Sequence, residues 1–222
     1  MTVRLENVKI TVVTEAFKQT VRDIVAKKVL MQEAKLGSLP ASDPYERQNR
    51  EMLAKNIQVA KFLLTERGQD RMITALKRMK FEKFYCTKAP SGEVFLCGKT
   101  LDMILNMKGT KYNVGPYHIC IGESAILGSS LDQVHMFPDR KPLAYNRHLH
   151  HGTRNHDFKH PLMAVTSTCW GNVGSSFVSA KNEADIADMF RVLFIYVSRL
   201  NYSSPLRSSW HWEVVNEYGV PA

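Results

Sequence analysis

Residues Phe81 to Thr100 read FEKFYCTKAPSGEVFLCGKT, and this stretch decides the fold. Two runs rich in aromatic and β-branched residues, FEKFYCTK and EVFLCGK, flank APSG. Pro, Ser and Gly are turn residues, so the pair reads as a β-hairpin. Before Phe81 the apolar residues recur at helical spacing, and after it they do not. Cys86 and Cys97 fall inside the two strands and read as small packed residues, as free cysteines usually are.

Upstream, VRLENVKITVV (residues 3–13) alternates as a strand does. Thr14 is placed to start a helix running to about Leu36. GSLPASDP, from Gly37 to Pro44, has the turn chemistry of a linker. A long helical segment follows from Pro44 or Tyr45 to about Lys80, with a break expected near Gly68. Met52, Leu53, Ile57, Ala60, Leu63 and Leu64 form its apolar stripe. Arg67, Arg71, Lys77 and Arg78 sit mostly off that stripe and read as a solvated face or as a nucleic-acid-binding one.

Downstream, LDMILNMKG reads as a short helix or a strand, and YHICIGE and LDQVHMFP as further strands. His118 and His135 lie in these strands and read as packed or edge residues. A helix is expected from Asn182, with Glu183 and Asp185 where negative charge suits a helix N-terminus. Its apolar face is Ile186, Met189, Phe190, Leu193, Phe194, Val197 and Leu200, and NYSSP ends it. The tail SSWHWEVVNEYGVPA adds a last strand or short helix. The fold class expected is α+β: N-terminal helices, a central antiparallel meander and a C-terminal helix.

The chain has 222 residues, 44% hydrophobic and 23% charged, the balance of a water-soluble globular protein. Its four cysteines form no CxxC pair, which points to free thiols in a reducing compartment, so the expected location is cytoplasmic. MTVRLENVKI has no apolar signal core, and no apolar run approaches the roughly 20 residues of a membrane span. The formal net charge is +9, which suits either a basic surface or an anionic partner such as nucleic acid. GxSxG, P-loop and GxGxxG motifs are absent.

HPLMAVTSTCWGNVGSSF spans His160 to Phe177. Small residues on both sides of Cys169 let backbone amides approach the sulfur and leave room for a bulky reactant. A thiol reacts as its thiolate, so nearby donors or a histidine would activate it. Acyl transfer at this sulfur would build negative charge on an oxygen, which Asn172 or backbone N–H groups could stabilise. By residue type alone, a loop cysteine such as Cys169 is more often a structural thiol than a catalytic one.

HPLMAVTSTCWGN, followed by an amphipathic helix ending in NYSSPL, resembles the bacterial and phage branch of the ubiquitin-conjugating enzyme family. The resemblance covers roughly Phe81 to Leu206. It implies that His160 and Pro161 form a structural turn shaping the active-site floor. It implies that Cys169 accepts the carboxyl terminus of a ubiquitin-like protein as a thioester, delivered by an activating enzyme. It divides the chain into a mainly helical extension, residues 1–80, and a conjugating-enzyme-like domain, residues 81–222. Leu162 stands where the family's eukaryotic members have Asn after His-Pro. That departure leaves room for a catalytically silent domain of the same fold, acting as an interaction subunit, for instance of a phage assembly. A basic nucleic-acid-binding protein is the third reading.

RHLHHGTRNHDFKH holds His148, His150, His151, His156 and His160. His148 and His150 would share one side of a strand. With His156, His160 or Asp157 they could close a zinc site, with Cys169 as a further ligand. No recognised metal spacing is met, and the histidines also read as a polar loop bonded to backbone and carboxylates. In a third reading, one of them tunes Cys169. No cofactor is expected apart from that zinc.

Overall fold

A computed structural model of the chain describes residues 11–40, 44–107, 110–128, 131–139, 173–198 and 213–215. A short strand β1 (Val12–Val13) leads into helix α1 (Glu15–Ser38). Thr14 is the N-cap, its side chain accepting from the Phe17 amide at 3.2 Å. Helices α2 (Pro44–Leu64) and α3 (Glu66–Lys77) follow. The break between them falls at Thr65, three residues before the glycine that the sequence points to. Thr65 caps α3 by accepting from the Gly68 amide at 3.1 Å. Gly68 is required there because a Cβ would run into the carbonyl of Phe62.

The hairpin forms as read, from β2 (Phe81–Lys88) and β3 (Val94–Thr100). Strands β4 (Met103–Met107), β5 (Thr110–Gly115) and β6 (Tyr117–Gly122) come next, then the short helix α4 (Glu123–Leu127) and strand β7 (Val134–Pro138). Helices α5 (Gly174–Asn182) and α6 (Ile186–Ser198) and strand β8 (Glu213–Val215) complete the described elements. The helix expected from Asn182 begins instead at Ile186, and a helix that the sequence does not announce, α5, ends at Asn182 ahead of it. Ala184 turns with φ 55°, and Asp185 restarts the helix by accepting from the Asp188 amide at 2.9 Å.

The architecture is α+β. A five-stranded sheet has the order β1-β2-β3-β6-β7, and β4, β5 and β8 form a smaller one. Strands β2, β3, β6 and β7 run antiparallel in a meander. The sheet as a whole is mixed, since β1 pairs parallel to β2. Three helices separate β1 from β2, and a crossover of that length is what parallel neighbours need.

One face of the large sheet carries Phe84, Leu96, Ile119, Ile121, Val134 and Met136 into the main core. Phe17 of α1 and Phe190 of α6 meet Phe84 there, with centroids 5.6 and 5.1 Å away. Phe81 stacks on Phe84 at 4.6 Å. Gly98 leaves the room: a Cβ there would lie 2.7 Å from the Phe81 ring and 2.9 Å from that of Phe84. The same core takes residues from α1, α2, α3, α5 and α6. No helix among the described residues is long and apolar enough to cross a membrane.

Candidate functional site

Strand alternation sends every second residue to the other face of the large sheet. There stand Lys83 and Tyr85 on β2, Phe95, Cys97 and Lys99 on β3, His118 and Cys120 on β6, and His135 on β7. Register places Tyr85 opposite Cys97, Cys97 opposite Cys120, and Cys120 opposite His135. The next row pairs Lys83 with Lys99 and Lys99 with His118. Among the described residues this face holds the densest chemistry.

A hydrogen-bonded chain crosses it. The Tyr85 hydroxyl lies 2.8 Å from Nδ1 of His118, and Nε2 of His118 lies 3.0 Å from the Asp139 carboxylate. Lys99 reaches the other Asp139 oxygen at 3.0 Å and Glu82 at 3.5 Å. Lys83 sits 5.1 Å from the Tyr85 ring centroid. Burial, reinforced by Cys120, Cys97 and Asp139, raises the Tyr85 pKa, so the phenol keeps its proton and donates it to Nδ1. Nε2–H of His118 then donates to Asp139. Burial works against the Asp139 charge, but hydrogen bonds from His118 and Lys99 outweigh it and hold the carboxyl below its ordinary range. Lys99 is raised, first by its hydrogen bond with Asp139. The arrangement holds an anion on Asp139, linked through His118 to the Tyr85 phenol, beside two thiols.

Cys97 and Cys120 are 0% and 1% exposed and are free thiols. Burial first, then its hydrogen bond with Cys120, pushes the Cys97 thiol well up. His135 is 2% exposed, and burial lowers its pKa, so its ring is neutral. Its Nδ1 has no hydrogen-bond partner. Among the described residues no group of three His, Cys, Asp or Glu side chains is placed to hold a metal ion.

The residues that the sequence singles out divide sharply. Cys169, Asn172, His160, Pro161, His148, His150, His151 and His156 lie outside the described residues. Arg67, Arg71 and Lys77 on α3 and Arg78 at its C-cap are described and exposed. At about 100° per residue, Arg67, Arg71 and Arg78 fall within about 40° of one another, with Lys77 turned away from them. Arg71 also borders a groove of about 660 Å³ between α2, α3 and α6, with Phe62, Leu63, Met72 and Met79 in its lining and Arg191 on the opposite wall.

No family model, no curated protein and no solved structure matches the chain. The polar row on the sheet is absent from the sequence reading, which treats Cys97, His118 and His135 singly. Its signal was present: Cys97-x-Lys99 and His118-x-Cys120 put chemistry on one side of two strands. Only the register across β2, β3, β6 and β7 joins them.

Proposed function

We propose that the chain is a ubiquitin-conjugating-enzyme-like protein that carries a ubiquitin-like modifier as a thioester on Cys169. The observation that supports this reading is the order of elements. Three helices precede an antiparallel meander, the segment with His160, Pro161 and Cys169 follows its last strand in the sequence, and helices come after. In the mechanism, the Cys169 thiolate attacks the thioester carbonyl that links the modifier to its activating enzyme. Negative charge develops on the carbonyl oxygen, where the Asn172 amide or backbone N–H groups donate. The activating enzyme's thiolate leaves, and the modifier passes to Cys169. An acceptor amine then attacks that new thioester and releases the Cys169 thiolate. His160 and Pro161 shape the floor of the site. Four cysteines without a CxxC pair suit a reducing, cytoplasmic setting for such a thiol.

Incubation with a charged activating enzyme and its ubiquitin-like protein tests this. The expected product is a thiol-reducible adduct that is absent in Cys169→Ser. No adduct with any modifier, in folded protein, would overturn the carrier role in favour of the silent interaction subunit of the same fold.

The exposed arginines of α3 favour a second reading, a basic nucleic-acid-binding surface. Binding of RNA or DNA would then weaken steeply with salt. Replacing Arg67, Arg71 or Arg78 by Ala would reduce the salt slope by about 1 for each phosphate that the side chain had neutralised. Binding that ignores salt or these substitutions would sink it.

A further inference from the structure

The paired thiols at the centre of the sheet belong to neither reading of function. Cys97 and Cys120 are direct register partners on adjacent antiparallel strands, both wholly enclosed. We propose that they form a two-coordinate site for a soft monovalent cation of the copper(I) kind.

Thiolate is the donor that soft copper(I) prefers. Zinc wants four tetrahedral ligands. With no third ligand of the His, Cys, Asp or Glu kind converging among the described residues, the pair suits an ion content with two sulfurs rather than zinc. Binding balances simply: one monovalent cation replaces two thiol protons, which leave for solvent, and no electron moves. The bis-thiolate complex carries one negative charge. Lys99 lies two residues along β3 from Cys97, and His118 two residues along β6 from Cys120, on the same face. The Lys99 ammonium offsets that charge. Tyr85 is the register partner of Cys97 on β2, on the same face, so its hydroxyl can turn from His118 to donate to the new thiolate. Opposite Cys120, the neutral His135 ring keeps a buried Nδ1 that has no partner. Because both sulfurs are enclosed, the ion loads only as the face opens, and loading is slow.

The test is anaerobic titration of the reduced, full-length chain with copper(I) against a chromophoric copper(I) chelator. The expected result is one equivalent withheld from the chelator, abolished in Cys97→Ser and in Cys120→Ser. It is retained when Cys86 and Cys169 are both replaced by Ser, and zinc(II) is not retained. Circular dichroism establishes that each variant is folded. Cys97→Ala and Cys120→Ala, which add no polar group to the core, serve where a serine variant is not folded. No copper withheld, or copper withheld equally by the folded Cys97 and Cys120 variants, would overturn the proposal. So would formation of a Cys97–Cys120 disulfide instead of a copper adduct.

Discussion

Lys28 sits buried on α1 and donates to the Ile126 carbonyl at 2.8 Å. Lys181, also buried, donates to the Gly128 carbonyl at 2.9 Å. Together they tie the end of α4 to α1 and α5. Burial, helped by Lys181 and Lys35, lowers the Lys28 pKa from 10.5 to about 8. Between those two values the unfolded chain holds the proton and the folded chain does not. Stability attributable to Lys28 therefore rises as pH climbs through this window, and below it the cost of burying the charge is present in full. Thermal melts between pH 7 and pH 10 should show wild type gaining on Lys28→Met. Parallel curves for the two proteins would contradict this. Gly98 makes a second prediction at this scale. An alanine there meets two enclosed phenylalanine rings, so overpacking should cost about 1–3 kcal/mol in urea unfolding. A midpoint unchanged from wild type would show that the rings have room to move.

At the level of elements, the junction of α2 and α3 rests on the Thr65 cap. Thr65→Ala should cost about 1 kcal/mol, and Thr65→Ser should restore most of it. Equal unfolding midpoints for all three proteins would show that the cap contributes nothing. The helices and the hairpin were legible because their signals are local: Thr14 chemistry, a 3.6-residue stripe, and alternation on either side of APSG. What was illegible was non-local or short. The parallel pairing of β1 with β2 joins Val12 to Lys83, across some seventy residues. Helix α4 has five residues, too few for a period to show. Helix α5 begins in a run of Gly and Ser that reads as loop, and its core packing through Phe177 overrides that weak propensity. The thiol and histidine row needed register, which two strands reveal only once they are paired.

For the molecule as a whole, the functional account divides the four cysteines by environment. Cys97 and Cys120 are enclosed on the second face of the sheet, while Cys86 is half-buried with its thiol raised by burial. The carrier role requires Cys169 to stand open to a bulky acyl donor. Residue-resolved alkylation of the native protein, read by mass spectrometry, tests this contrast in one experiment. The account predicts rapid labelling of Cys169, slow labelling of Cys86, and none of Cys97 or Cys120 until the chain unfolds. Protection of Cys169 equal to that of Cys97 would contradict the thioester mechanism outright.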